Sequence, residues 1–318
     1  MWFLGASVAA VTALVTTTLL MGWCPNSVLA AMQLLTPWWM VLTALVTLGA
    51  AWEKSWALSV SGFAVVTATL AVVVPKLRRS PRQDRSRERD ATLTIALANL
   101  YIDNPEPDEA IRQLLSADPD ILVMTELSTG LLERFDALGG ADRFPNRIHP
   151  EPMEGEYEAG IFSRLPFQSA SVWDKGPLQV IEASVRIDGH EPLRVIAIHP
   201  EAPVNGKSFR RWRRQLDQLD EILADSGGPT VALGDLNAGT LQPPYERLLR
   251  SRIRDAHDEL GVALRPSWGV APWLPRWFPT LLARLDHLLL SPDVEIVSVG
   301  DLDAVGSDHR PFLAELRL

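Results

Sequence analysis

Residues 193–239 read LRVIAIHPEAPVNGKSFRRWRRQLDQLDEILADSGGPTVALGDLNAG, and they carry the pattern that decides the fold. LRVIAI and TVALGD are short apolar runs of strand type. Between them NGKSFRRWRRQLDQLDEILADSGG (205–228) reads as one long helix stopped by Gly227 and Gly228. Both strands run into polar groups: His199 before Pro200, then Asp235 and Asn237 in a turn. Outward from this unit the same pattern repeats. TLTIALANL (92–100), ILVMTEL (121–127), AGIFSRLPF (159–167), VIEASVRID (180–188), RLDHLLLSPDVEIVSVGDLDAV (284–305) and SDHRPFLAELRL (307–318) all read as β segments. DEAIRQLLSADPD (108–120) reads as a helix ending before Pro119, with Ile111, Leu114 and Leu115 on its apolar face. Strands outnumber helices and many are spaced as hairpin partners. The expected class is therefore α+β, a two-sheet α/β sandwich with helices outside, rather than a doubly wound parallel sheet.

Composition divides the 318 residues into three zones. Residues 1–75 carry one acid, Glu53, and one base, Lys54. Residues 76–90, KLRRSPRQDRSRERD, carry seven bases and three acids. With −9 overall, residues 91–318 hold −13. The expected organisation is an apolar anchor at 1–75, a basic linker at 76–90 and a catalytic domain at 91–318. An acidic main domain argues against stable nucleic-acid binding, which needs a basic footprint. Cys24 has no partner cysteine in the sequence, so no internal disulfide forms.

The anchor contains three uncharged stretches, 2–21, about 28–51 and about 56–74. At 1.5 Å per residue each spans a ~30 Å hydrocarbon core, which predicts three transmembrane helices and a multi-pass membrane protein. Trp2, Trp23, Trp38, Trp39, Trp52 and Trp56 fall mostly near the expected ends, where indole favours the headgroup layer. The linker's seven bases, counted by the positive-inside rule, put the main domain in the cytoplasm. As a solvated segment, that collar would also touch anionic lipid.

Five strand ends carry acidic, amide or imidazole groups: Asn99, Glu126, His199, Asp235 with Asn237, and Asp308 with His309. Singly, each has an ordinary reading as a helix cap, turn or loop residue. Together they describe a shared cleft. Hard oxygen donors suit Mg²⁺ or Mn²⁺, and no CxxC or HExxH spacing supports zinc.

Asn99, MTEL (124–127), GIFSR (160–164), the histidine of IHP (198–200), GDLN (234–237), RLD (284–286) and SDH (307–309) stand in the order found in the endonuclease/exonuclease/phosphatase superfamily, which residues 92–318 resemble. The three apolar stretches, the HPxxP form at 199–203 and the Trp-rich run before RLDH are similar to VanJ-type teicoplanin-resistance membrane proteins. The resemblance implies a deoxyribonuclease-I-like sandwich with Glu126, Asn99 and Asp308 on the metal. Asp235 would orient or deprotonate the attacking water, Asn237 and His199 would hold phosphoryl oxygens, and His309 paired with Asp286 would stabilise or protonate the leaving oxygen. Arg164 enters through the GIFSR motif as a substrate-binding candidate. The implied activity is Mg²⁺-dependent removal of phosphate from undecaprenyl pyrophosphate, in the setting of cell-wall synthesis and glycopeptide resistance. A sphingomyelinase- or phospholipase C-like phosphodiesterase and a membrane-tethered nuclease remain alternatives. An undecaprenyl pyrophosphate substrate would place 91–318 outside the cell, against the collar's charge. The run SWGVAPWLPRWFPTLLARLDH (267–287) offers Trp273 and Trp277 to a lipid substrate, with capping of the domain core as the other reading.

Overall fold

The computed structural model describes residues 2–80, 92–150, 158–173, 176–225, 227–250, 252–269 and 282–318. Its first part is helical: α1 (Trp2–Leu20), α2 (Ser27–Leu34), α3 (Thr36–Trp52) and α4 (Trp56–Val73), the last extended by a 3₁₀ turn, Val74–Leu77. Thr36-Pro37 at the start of α3 splits the second apolar stretch, because proline has no N–H for the helix ladder. α2 and α3 are consequently bent by 66° at Leu35.

Three full-length spans are not what the helices present. Among the described residues, Trp56–Leu77 is long and apolar enough to cross a membrane, the α2–α3 pair qualifies only as one broken span, and Leu4–Leu20 is a shorter apolar helix. α1, α3 and α4 pack on one another. Their contacts include Thr12 Oγ1 with Thr43 Oγ1 at 2.7 Å and Thr16 Oγ1 with Thr69 Oγ1 at 2.8 Å, all four threonines being buried. Leu14, Leu45, Leu48, Val60 and Phe63 point outward and are exposed.

The second part is the expected sandwich. One sheet has the order β11-β12-β1-β2-β4-β3 and the other β5-β6-β7-β8-β10-β9. In the first, β1 (Thr92–Asn99) runs parallel to β2 (Ile121–Leu127) and antiparallel to β12 (Phe312–Arg317). β2 pairs antiparallel with β4 (Glu158–Ser163), itself flanked by β3 (Asn146–Ile148), and β11 (Glu295–Asp301) closes the opposite edge. In the second, β5 (Phe167–Trp173), β6 (Val180–Val185) and β7 (Leu193–Ile198) form a meander. β7 is parallel to β8 (Thr230–Asp235), and β10 (Asp286–Leu290) and β9 (Arg254–Asp255) complete it. Alternate residues of both sheets, including Ile95, Leu97, Val123, Ile161, Val195, Leu233, Leu288 and Phe312, form the shared core.

Helices cover the outer faces. α5 (Pro107–Ala117), α6 (Thr129–Ala137) and the short α7 (Gly140–Arg143) lie over the first sheet with Leu114, Phe135 and Phe144. α8 (Gly206–Ala224) lies over the second with Phe209, Trp212, Leu216 and Leu219. Asn205 caps α8 by accepting from the Lys207 and Ser208 amides, which explains why the helix starts where the sequence suggests. α9 (Pro243–Leu248) and α10 (Ala256–Glu259) are short.

Lys76 is not a solvated collar residue. It lies 2.8 Å from Glu246 and 2.6 Å from Asp258, with only 14 % of its side chain exposed, because the joint after α4 packs against α9 and α10. Arg82, Arg85, Arg87 and Arg89 lie outside the described residues.

Trp212 links core and site: it is fully buried and donates its indole N–H to the Leu236 carbonyl at 3.1 Å. Trp212→Ala is expected to destabilise by about 3–5 kcal/mol. Trp212→Phe, which retains most of the packing and leaves the carbonyl unpaired, is expected to cost about 1–3 kcal/mol. Chemical denaturation of the two variants beside the parent measures both losses.

Candidate active site

β1 and β2 are parallel neighbours, so their C-terminal ends deliver Asn99 and Glu126 to the same edge of the first sheet. β7 and β8, also parallel, deliver His199 and Asp235 to the same edge of the second. β10 is antiparallel to β8 with Asp286 opposite Asp235, and the loop between β11 and β12 brings Asp308 and His309 across. Both parallel pairs point to one end of the sandwich. There a cleft of about 780 Å³ opens, lined by Glu126, His199, Asp235, Asn237, Trp268, Asp308 and His309, with Pro177, Gln179, Glu201 and Arg211 along one arm.

Asp235 is the hub. Its Oδ2 receives Asn99 Nδ2 at 3.2 Å and faces His309 Nε2 at 3.5 Å and His199 Nε2 at 3.7 Å, while its Oδ1 accepts the Asn237 amide at 2.8 Å. Burial opposes the charge of this carboxylate, but the imidazoles of His309 and His199 and the Asn237 N–H outweigh it and hold the pKa below the ordinary value. His309 is the reciprocal case. Burial disfavours its imidazolium, but Asp286, 2.8 Å from Nδ1, and Asp235 hold its pKa well above that of free histidine. Ser267 donates to the same Asp286 oxygen at 2.6 Å, and Ser307 accepts the His309 amide at 3.0 Å while donating to the Asn99 carbonyl at 2.8 Å. His199, also buried, is raised by its hydrogen bond to Asp235 against the opposing effect of burial.

Asn237, Glu126 and Tyr101 adopt left-handed φ values of 49°, 58° and 57°. Such backbone costs most for Glu126 and Tyr101 and less for asparagine, and its recurrence at the strand ends of both sheets around the cleft marks a place where side-chain direction outranks local comfort. Asn237 Nδ2 also donates to the Pro200 carbonyl at 2.9 Å, which ties GDLN to the histidine loop.

The oxygen donors fit a divalent cation. Glu126 Oε1 accepts from Asn99 Nδ2 at 2.9 Å and Oε2 from the Ile102 amide at 3.0 Å, which leaves lone pairs on both oxygens. Asp308 Oδ1 is buried with no hydrogen-bond partner, and Asp308's pKa is raised by burial and by the charges of Glu126 and Asp235. A cation beside these carboxylates removes the repulsion and satisfies the orphaned oxygen. Asp235, Asp286 and His309 also bring ligand-type atoms within 4.8 Å of one another, although His309 Nδ1 is already engaged by Asp286.

Asn99 Oδ1 accepts the Tyr101 amide at 3.0 Å and keeps a second lone pair, while its NH₂ group bridges Glu126 and Asp235. One sequence expectation changes. Arg164 lies far from the cleft because β4 runs antiparallel to β2, which carries Arg164 to the opposite end of the sheet. There it pairs with Asp118 at 3.0 Å. Trp273 and Trp277 lie outside the described residues.

Sequence reasoning missed Ser267 and Ser307, as well as a buried polar cluster behind β10. In that cluster Asp255 meets His287 Nδ1 at 2.8 Å and Tyr245, His287 Nε2 donates to the Ala238 carbonyl at 2.8 Å, and Arg284 pairs with Asp301 at 2.7 Å. Its one available signal was the alternation in RLDH: Asp286 faces the cleft, so His287 must face the other way.

Asp235→Ala and His309→Ala are each expected to lower turnover by roughly three orders of magnitude without loss of fold. Paired melting curves and kinetics check this. Asp286→Asn removes the charge that favours the imidazolium, so the His309 pKa is expected to fall. A titration of the histidine ring resonances by NMR reads that shift.

Comparison with known proteins agrees with this fold. The chain is similar in fold to an endonuclease/exonuclease/phosphatase from Beutenbergia cavernae DSM 12333 (18 % identity, TM-score 0.58, 72 % of each chain covered). It is also similar to D. rerio TDP2 complexed with a single-strand DNA product (17 %, TM-score 0.59, 71 % of this chain and 99 % of that one). A third similar structure is the mannosyl-6-phosphatase of Bacteroides thetaiotaomicron VPI-5482 (16 %, TM-score 0.53, 70 % and 99 %). No curated protein matches the chain. The family model for the endonuclease/exonuclease/phosphatase family matches residues 67–309, from within α4 to His309 itself, and the chain belongs to that family.

Proposed function

We propose that this family member is a membrane-anchored, divalent-metal-dependent phosphohydrolase that removes the terminal phosphate from a polyprenyl diphosphate carrier such as undecaprenyl pyrophosphate. The observation that carries the reading is the joining of a phosphoester-type cleft to a helical bundle with buried threonine pairs and an apolar outer coat. Buried Thr12–Thr43 and Thr16–Thr69 pairs under an exposed coat of Leu, Val and Phe suit a bilayer, where outward apolar surface has no penalty and hydroxyl pairs hold helices together. Trp23 and Trp38 at the catalytic end, with Trp52 and Trp56 at the other, are exposed and suit two headgroup layers.

On this reading α4 with its 3₁₀ turn, Trp56–Leu77, crosses the bilayer, and α1 and the bent α2–α3 pair pack against it as shorter or broken apolar segments. The catalytic domain faces the outer leaflet. Lys76, neutralised by Glu246 and Asp258, does not count as a free positive charge in the linker. The resemblance to VanJ-type proteins read from the sequence motifs supports the same substrate.

The chemistry assigned to the cleft is a single in-line displacement. A water attacks the terminal phosphorus, the bond to the bridging oxygen breaks, and inorganic phosphate and the lipid monophosphate leave. Asp235 takes the proton of the attacking water. His309, held as imidazolium by Asp286, stabilises or protonates the bridging oxygen. Asn237 and His199 orient phosphoryl oxygens. Glu126 and Asp308 would hold Mg²⁺ or Mn²⁺, which compensates charge on the transferring group.

Phosphate release by the purified full chain, with and without EDTA, on undecaprenyl pyrophosphate, sphingomyelin and DNA in parallel tests the reading. EDTA-sensitive release of inorganic phosphate from the diphosphate alone is expected. Phosphocholine from sphingomyelin would establish a phosphodiesterase instead, and DNA cleavage a nuclease. A phosphatase fusion at Leu318 that is active in cells supports the outer face, and a silent one overturns it.

A further inference from the structure

The loop that carries Asp235 and Asn237 has two faces. Asp235 and Asn237 look into the cleft, whereas Gly239, Thr240 and Leu241 line a crevice against α2 and the start of α3. At the centre of that second face is Gln242, almost fully buried. Its Oε1 accepts the Gly239 amide at 2.6 Å, and its Nε2 donates to the Ala30 carbonyl of α2 at 2.7 Å. Both ends of one amide are thereby used, one within the loop and one on the apolar helical segment.

The contact is broad as well as polar. A Cβ on Gly239 would come within 2.4 Å of Leu34 Cδ1, so the loop backbone lies directly on the end of α2. Ala30 and Cys24 belong to the same buried cluster as Ile198, Leu236, Ala238 and Leu289 of the catalytic domain. Arg213 of α8 donates to the Cys24 carbonyl at 3.1 Å, and Trp38 of α3 donates to the Leu282 carbonyl at 3.0 Å, four residues before Asp286. Further side-chain anchors of the loop, Trp212 to Leu236, His287 to Ala238, Asn237 to Pro200 and Thr240 to Ala263, come from the catalytic domain itself.

We propose that the elbow between α2 and α3 is a positioning element of the active site, acting through Gln242: the helical segment sets the conformation of the Asp235–Asn237 loop, and the catalytic domain's site is incomplete without it. Asn237 sits at a left-handed φ that asparagine tolerates, and the loop must hold its amide on Asp235 Oδ1, so a contact that fixes the loop's second face fixes that geometry. Gln242 touches no cleft residue, so it acts on turnover only through the loop. The kinetic part of this inference rests on the phosphohydrolase reading, and the structural part does not.

Three variants of the full chain in detergent separate the contributions. Gln242→Glu retains the acceptor for Gly239 and loses the donor to Ala30. Gln242→Leu loses both, and Leu34→Ala opens the apolar side of the same contact. Hydrogen exchange is the readout that needs no substrate. The Asn237 and Gly239 amides are expected to exchange at least tenfold faster in Gln242→Leu, with strand amides of β1, β2 and β8 unchanged. Unchanged exchange at Asn237 overturns the proposal. Turnover of whichever phosphate ester the parent hydrolyses is the second readout: kcat is expected to fall roughly tenfold with KM little altered, and Gln242→Glu to fall between parent and Gln242→Leu. The Gln242→Leu/Leu34→Ala double variant should fall short of the product of the single losses, since both act on one loop. A lowered melting temperature with parental kcat and parental Asn237 exchange would show a purely structural contact and overturn the proposal. A parent that hydrolyses none of the esters counts against the phosphohydrolase reading and leaves the exchange result to decide this one.

Discussion

The site depends on keeping one carboxylate ionised in a place with almost no water. Asp235 is 2 % exposed at the end of a strand, and an unpaired charge there would be unfavourable by several kcal/mol. The compensation comes from both sheets at once. Asn99 reaches it from the first sheet, His199 and the Asn237 amide from the second, and His309 from the connection between β11 and β12. Two sheets packed face to face with their parallel pairs in the same direction are what let those donors converge. Shifting either sheet by one residue would turn Asn99 or Asp235 to the wrong face.

The same requirement explains the backbone. Asn237 at φ 49° turns its amide onto Asp235 and its side chain onto Pro200. Glu126 at φ 58° departs from the strand at the point where the β2–β4 register shifts, between Met124 and Leu127, so that its carboxylate meets Asn99 and the Ile102 amide. Behind the cleft, the buried Asp255, His287, Tyr245 and Arg284 fix β10 and the Ala238 carbonyl from the far side. Asp286 is thus placed by ladder hydrogen bonds to β8 and by polar contacts on both faces of its strand.

How far the sequence disclosed this varied with the range of the interaction involved. The central strands and α8 follow from periodicity, which is local, whereas the edge strands β3, β5 and β9 carried too short or too polar a pattern to be read. His199, Asp235, Asn237, Asp308 and His309 were legible because apolar strands rarely end repeatedly in such groups. Arg164 misled because a motif gives order along the chain and not direction in the sheet: one antiparallel pairing carries it to the far end. Asn99 was placed in the right cleft, but its bridging of Glu126 and Asp235 was not legible, since the amide's orientation is set by Tyr101, whose left-handed turn no pattern announces. The second apolar stretch looked continuous because hydropathy does not register what a proline does to the helix ladder at Thr36-Pro37. Gln242 was invisible, being one glutamine whose partner is a backbone carbonyl 212 residues away.

The two halves of the chain differ in their outer surfaces, and their junction bears on the substrate reading. In the sandwich, apolar side chains are inside and charges outside; the helical bundle buries small and hydroxyl side chains, Val15 and Ala50 beside its threonine pairs, and presents leucines outward. A domain of −13 repels polyanions at long range, since field adds up over every phosphate of a nucleic acid. A diphosphate on a lipid presents only one cluster of charge and is delivered by diffusion within a surface, without long-range steering. On the proposed reading, at contact distance the cation that Glu126 and Asp308 would hold and the His309 side chain would offset the acidic surroundings. A net charge that works against a polyanion is then no obstacle to the proposed lipid diphosphate, and the docking of the Asp235–Asn237 loop on α2 keeps the cleft beside the apolar segment.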